Sequence, residues 1–257
     1  MDFHGLARII NWNYMILNEV QKKLGDFSLF IEHLEISKPS VYGLIGPNGS
    51  GKSTLAKIMA GLLAPDSGSI DTEGLSMRDI TFLGRKPYMM EDTVYNNLIY
   101  PLNIRKIKPD TVIINEYLDR MNFLKRSKQR AKSLSGGEQQ KLSFLRAIIF
   151  KPKLVIADEA MTAMDIDSLD LFEKTIIEEQ KKENSIWIII SHQMPHITRI
   201  CDYLFFMYDG KIETQGKTHE LFSQSDNPHL ESYLRTYNGC RNSNSPSAQF
   251  SFIKTEN

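Results

Sequence analysis

The chain has 257 residues, 41% hydrophobic and 24% charged, enough to bury a full core as one large domain or a domain with a sizeable subdomain. Its 31 basic and 31 acidic side chains cancel, which removes any global electrostatic case for a nucleic-acid partner. The longest apolar runs, Ile186–Ile190 and Tyr203–Tyr208, are far too short to cross a bilayer, and Met1–Asn13 has no signal-peptide core. Cys201 and Cys240 have no metal-ligand spacing, so thiols in a reducing cytosol are expected.

Residues 1–14 read poorly as core, and Met15 opens a strand-like run to Val20, leaving Met1 and Met15 as candidate starts. Partial alternation predicts further β structure over Phe27–Ile36, and Val41–Ile45 predicts a buried strand. A helix is expected over Ser53–Leu63, with Leu55, Ile58, Met59 and Leu62 on one face, followed by a turn at Ala64–Gly68. The stretch from about 90 to 150 reads as helical with breaks at Pro101 and Pro109, and Lys125–Lys132 as a solvated basic connector. Strands are expected at Leu154–Ala157, Ile186–Ile190 and Tyr203–Tyr208, with a helix over Asp167–Lys182 and a turn at Asp209–Gly210 into Lys211–Glu213. Strands alternating with helices predict a largely parallel α/β sheet.

Gly46-Pro47-Asn48-Gly49-Ser50-Gly51-Lys52-Ser53 fits G-x-x-x-x-G-K-S between a buried strand and an amphipathic helix. Glycines let backbone N–H groups turn toward phosphate oxygens, and the helix N-terminus adds partial positive charge. Lys52 is expected to reach the β- and γ-phosphates of ATP, and the Ser53 hydroxyl to ligate Mg²⁺. The loop's backbone runs on into Thr54 as part of the same nucleotide-binding set. Leu154–Asp158 then supplies a buried strand with carboxylates at its C-terminal end, where Asp158 can hold a metal water and Glu159 can act as general base. His192 also closes a strand and is expected to sense the γ-phosphate. Catalysis is thus assigned to Glu159, His192 and Lys52, and metal binding to Ser53 and Asp158.

Ser135-Gly136-Gly137-Glu138 after Leu134 reads alone as a glycine turn capping a helix. Together with the phosphate loop and the carboxylates, it makes the span from Met15 to about Phe222 resemble the ATPase subunits of ABC transporters. The resemblance makes Gly46–Ser53 the Walker A loop, Leu154–Asp158 Walker B, Glu159 the catalytic glutamate, Leu134–Glu138 the signature, Thr162–Asp165 the D-loop and His192 the switch histidine. It implies a head-to-tail homodimer in which Ser135, Gly136, Gly137 and Glu138 of one subunit face the ATP held by Lys52 of the other. It also implies integral-membrane permease subunits, an extracytoplasmic solute-binding protein, and a place on the inner face of the cell membrane.

The implied fold is α/β: a P-loop NTPase (RecA-like) core with an antiparallel β subdomain and an α-helical subdomain inserted at about 88–150. The domain is expected to span 15–237, after an extension at 1–14 and before a polar, disordered tail at 238–257.

Three positions depart from the family pattern. Arg85 stands where the family has a Mg²⁺-sensing glutamine, and arginine cannot ligate a cation. Ala160 replaces the proline after the catalytic glutamate. The adenine-stacking aromatic has Leu24 at its approximate place, with Phe27 the nearest ring and the preferred assignment. The segment Lys86–Leu102 is similar to that of tungstate-type oxyanion importers, and Leu24–Phe27 to that of molybdate-type subunits. Import of tungstate or a related oxyanion is the expected function. The alternatives are another ABC importer or exporter, and a weakly hydrolysing regulatory ABC protein.

Overall fold

The computed structural model describes residues 15–72, 74–162 and 164–238, so the expected extension, the tail after 238 and Cys240 lie outside the described residues. Met15–Leu24 (β1) and Phe27–Ile36 (β2) form an antiparallel hairpin, and Ser67–Asp71 (β4) pairs antiparallel with β1. The six-stranded sheet among the described residues has the order β5-β6-β7-β3-β8-β9. Its strands are Val41–Ile45 (β3), Ile80–Leu83 (β5), Leu154–Asp158 (β6), Ile186–Ile190 (β7), Tyr203–Tyr208 (β8) and Lys211–Lys217 (β9). Pairing is parallel from β5 to β8, and β9 returns antiparallel on β8.

The central strands β3, β6 and β7 are buried at every position because both faces are covered. Alternation divides their side chains between two cores. Val41, Ile45, Val155, Ala157, Trp187 and Ile189 face the core shared with the helical segment. Tyr42, Leu44, Leu154, Ile156, Ile186 and Ile188 face the core shared with the antiparallel sheet and Lys52–Met59 (α1).

The helical segment holds Val94–Arg105 (α2), Thr111–Arg120 (α3) and Gly136–Ile148 (α4). Ile166–Glu183 (α5), Met194–Ile200 (α6), Thr218–Ser223 (α7) and Pro228–Asn238 (α8) follow. Pro109 falls between α2 and α3 as expected, whereas Pro101 lies inside α2 and does not break it. A proline there costs one backbone hydrogen bond, and burying Val94, Leu98, Pro101 and Leu102 beside α4 offsets that loss.

Helix α1 ends at Met59, short of Leu63, and Leu62 is 61% exposed instead of sharing the buried face. Gly61 turns left-handed, its N–H donates to Ile58, and the Leu62 N–H donates to Lys57, a Schellman closure that rotates Leu62 outward. The turn at 64–68 is likewise shorter than expected, since Ser67 already pairs with Gln21 of β1. The basic connector is not simply solvated. Leu124–Arg126 and Ala131–Ser133 are single 3-10 turns, Ala131 is fully buried, and Arg126 pairs with Glu138.

Candidate functional site

Strand β3 delivers the chain into Gly46–Ser53, and α1 begins at Lys52 with Gly51 as its N-cap. Only glycine fits at 46: its φ is 146°, and a Cβ there would lie 2.0 Å from the Met207 carbonyl oxygen of β8. The Gly210 N–H donates to the Ser50 carbonyl at 3.1 Å, tying the loop to the β8–β9 turn. Pro47, Ser53 and Thr54 are half-buried, while Asn48 and Gly49 form an exposed crest. The Lys52 ammonium is buried and donates to the carbonyls of Gly46 (2.9 Å) and Pro47 (2.7 Å). Burial lowers its pKa to about 8, against the opposing pull of Glu159 and Asp158. The Phe27 ring lies under this loop, its Cζ 2.8 Å from where a Gly51 side chain would begin, and Leu24 is exposed at the hairpin tip.

Asp158 closes β6 and Glu159 follows it, both buried. Asp158 Oδ1 is the buried side-chain polar atom that lacks a hydrogen-bond partner among the described residues. A carboxylate oxygen left in that state suits a cation, which fits the chemistry expected of Asp158. Glu159 takes a left-handed φ of 49°, and its N–H donates to the Ile190 carbonyl at 2.9 Å, which fixes it beside the end of β7. His192, just past β7, places Nε2 2.7 Å from Glu159 Oε1. Arg85 reaches the same oxygen through Nη2.

Ser135 caps α4 in a capping box: its N–H donates to Glu138 Oε2 at 2.8 Å and its hydroxyl accepts from the Glu138 N–H. A side-chain hydrogen bond from Arg126, and then the Ser135 N–H, hold the Glu138 carboxyl down at about 2. Ser135 and Gly136 are exposed, and a Cβ on Gly136 or Gly137 would meet no atom within 4 Å. No hydrogen bond among the described residues joins Leu134–Glu138 to Gly46–Ser53. The chain gathers Lys52, Asp158, Glu159 and His192 at one end of the sheet and leaves the capped helix facing outward.

Two contacts escaped sequence reasoning. The Gln140 amide of α4 donates to the Ala160 carbonyl, next to Glu159. The Tyr233 hydroxyl of α8 lies beside the Gly46 backbone, and burial raises its pKa. A polar residue on the buried face of α4 was the available signal for Gln140. Nothing local marked Tyr233.

The sequence profile described as ABC transporter matches residues 32–162, about half of the chain. The chain belongs to the ABC transporter family. The tungstate uptake system ATP-binding protein TupC of Peptoclostridium acidaminophilum is 30% identical over 194 residues, 73% of this chain and 91% of that protein. The phosphate import ATP-binding protein PstB of Saccharolobus solfataricus is 30% identical over 224 residues, 78% of this chain and 86% of its own. The methionine import ATP-binding protein MetN of Chlamydia pneumoniae is 30% identical over 236 residues, 82% of this chain and 67% of its own.

This ABC protein binds ATP and is an ATPase whose hydrolysis is coupled to transport. Its α/β architecture is that of a P-loop NTPase domain. Among the described residues, no helix is long and apolar enough to cross a membrane.

Proposed function

We propose that this ABC ATPase powers import of tungstate or a related oxyanion through separate integral-membrane permease subunits, with an extracytoplasmic binding protein delivering the solute. In this reading it sits on the cytoplasmic face of the membrane and works as a head-to-tail homodimer. The observation that carries the motor role is the pair Asp158 and Glu159 at the end of β6, electrostatically coupled to Lys52 of the phosphate loop. The backbone of Gly46–Thr54 cradles the phosphates, and Lys52 leaves its loop carbonyls for the β- and γ-phosphates. Ser53 and Asp158 hold Mg²⁺, which supplies charge neutralisation on the phosphates. Phe27 stacks on adenine.

Glu159 takes a proton from water as the water oxygen bonds to the γ-phosphorus and the bridging P–O bond breaks, releasing ADP. His192 orients Glu159 and contacts the γ-phosphate. Ser135, Gly136, Gly137 and Glu138 of the second subunit close over that phosphate, their small residues permitting close backbone approach.

The oxyanion reading rests on the Lys86–Leu102 segment and on the similarity to TupC; comparable similarity to the phosphate and methionine proteins makes the cargo the point to test. The chain reconstituted with its permease and binding protein is expected to hydrolyse ATP faster with tungstate than with sulfate, phosphate or methionine. Stimulation by methionine alone would remove the oxyanion assignment and leave the motor role standing. Arg85 on Glu159 favours a second reading, a nucleotide-gated regulatory protein of low turnover. That reading is sustained only if the permease complex fails to stimulate hydrolysis.

A further inference from the structure

Arg85 enters the site from the segment that follows β5, and its pairing with Glu159 is lopsided. The arginine side chain is 58% exposed and the carboxylate side chain only 8%, so the guanidinium closes over a buried base from the solvent side. One carboxylate oxygen, Oε1, meets both Arg85 Nη2 and His192 Nε2. The Gln140 amide, which donates to the Ala160 carbonyl, also reaches the Arg85 carbonyl at 3.5 Å, so one side chain of α4 braces both halves of the pair. Arg85 also lies close enough to Lys52 to repel its charge.

We propose that Arg85 is a positioning residue that latches the Glu159 carboxylate, and that each turnover requires this ion pair to open. The proposal rests on the reading of Glu159 as the base that accepts the proton from water. The guanidinium donates to Oε1, with His192 Nε2 2.7 Å from the same oxygen, and stands over the buried carboxylate from the solvent side. A planar fork pairs as well with a phosphate as with a carboxylate. The terminal phosphate of a nucleotide beside Lys52 is therefore the competing anion: Arg85 moves to it, and Glu159 is freed when there is something to hydrolyse. Glutamine at position 85 has no charge with which to hold the base, so this latch belongs to the arginine in this chain.

The test uses the full chain and steady-state ATP hydrolysis, with kcat and KM separated. Arg85→Gln is expected to raise kcat roughly tenfold, as removal of a latch populated about ten to one requires, with a smaller change in KM. Arg85→Lys, which keeps the charge but not the fork, is expected to fall between Arg85→Gln and the unaltered chain. Arg85→Met, which keeps the stem, repeats the test should the glutamine variant fold poorly. A fall in kcat, or no change, in Arg85→Gln and Arg85→Met overturns the latch. Glu159→Gln separates the two ideas: loss of turnover there with no gain in Arg85→Gln sinks the latch alone. Turnover retained in Glu159→Gln sinks the base and the latch with it.

Discussion

His192 Nε2 stands 2.7 Å from Glu159 Oε1, which joins the loop after β7 to the residue after β6. Neighbouring parallel strands thus bring a carboxylate and an imidazole together at their carboxyl ends, where α/β sheets place their ligands. Glu159→Gln keeps the size of the side chain and one acceptor oxygen but cannot take a proton. It is expected to lower kcat by about 10²–10⁴-fold, with ATP binding retained in a fluorescent-nucleotide assay. Equal turnover by the two proteins would remove Glu159 as base.

Asp158→Asn addresses the metal. A buried carboxylate oxygen without a partner costs about 1–3 kcal/mol, so replacing it with a neutral amide should leave the metal-free protein at least as stable. With Mg²⁺ and ATP, the unaltered chain should gain thermal stability and the variant should gain much less. Equal Mg²⁺-dependent shifts in melting temperature would show that Asp158 does not hold the ion.

Gly137→Ala separates folding from assembly. Its new Cβ meets open space, and alanine in a helix is favoured over glycine by about 0.5–1 kcal/mol. Unfolding by denaturant should therefore show equal or greater stability, while in the proposed head-to-tail dimer ATP turnover falls, the methyl group keeping the capped helix from the phosphate on the other subunit. Full turnover in this variant would argue that the glycine faces no ligand.

Tyr233→Phe removes one hydroxyl from beneath the phosphate loop. The ring contacts with Phe206 and Tyr237 stay, while the polar group beside the Gly46 backbone and its hydrogen bond with the Tyr237 hydroxyl are lost. The expected result is a rise in KM for ATP of a few fold and a loss of about 1 kcal/mol in stability. An unchanged KM beside lowered stability would make Tyr233 a packing residue only.

Glu138 supplies a pH-dependent test. Its folded pKa, about 2, lies below the ordinary 4.5, so it stabilises the fold above the ordinary value and that contribution is lost as pH falls from about 4.5 to about 2. Arg126→Ala should move the Glu138 titration upward, as followed by carbon NMR of the carboxyl. No upward movement would mean that the Ser135 N–H, and not Arg126, holds the charge.

The buried runs of β3, β6 and β7 were legible because a strand covered on both faces must be apolar throughout. The phosphate loop, the paired carboxylates and the Ser135 cap were legible for a similar reason, since each is a local device whose chemistry needs fixed residue types at fixed spacing. β4 and β5 were missed: Ser67–Asp71 is polar and almost wholly exposed, and Ile80–Leu83 is only four residues long. The closing helices α6 and α7 are too short to give a periodic signal, whereas α8 is amphipathic and was passed over. Pro101 misled because the packing that supports it comes from α4, about 40 residues away.

The sequence by itself determined that this chain has a phosphate loop, a carboxylate-tipped core strand and a capped glycine helix, because backbone geometry and short-range hydrogen bonding follow from neighbouring residues. Only the tertiary structure decided that Arg85 and His192 meet on one oxygen of Glu159, that Tyr233 reaches Gly46, and that Asp158 keeps an oxygen without a partner. Such pairings depend on how strands 30 to 190 residues apart are ordered in the sheet. That order is fixed by the fit of two hydrophobic cores, a property of the whole chain that no local pattern encodes.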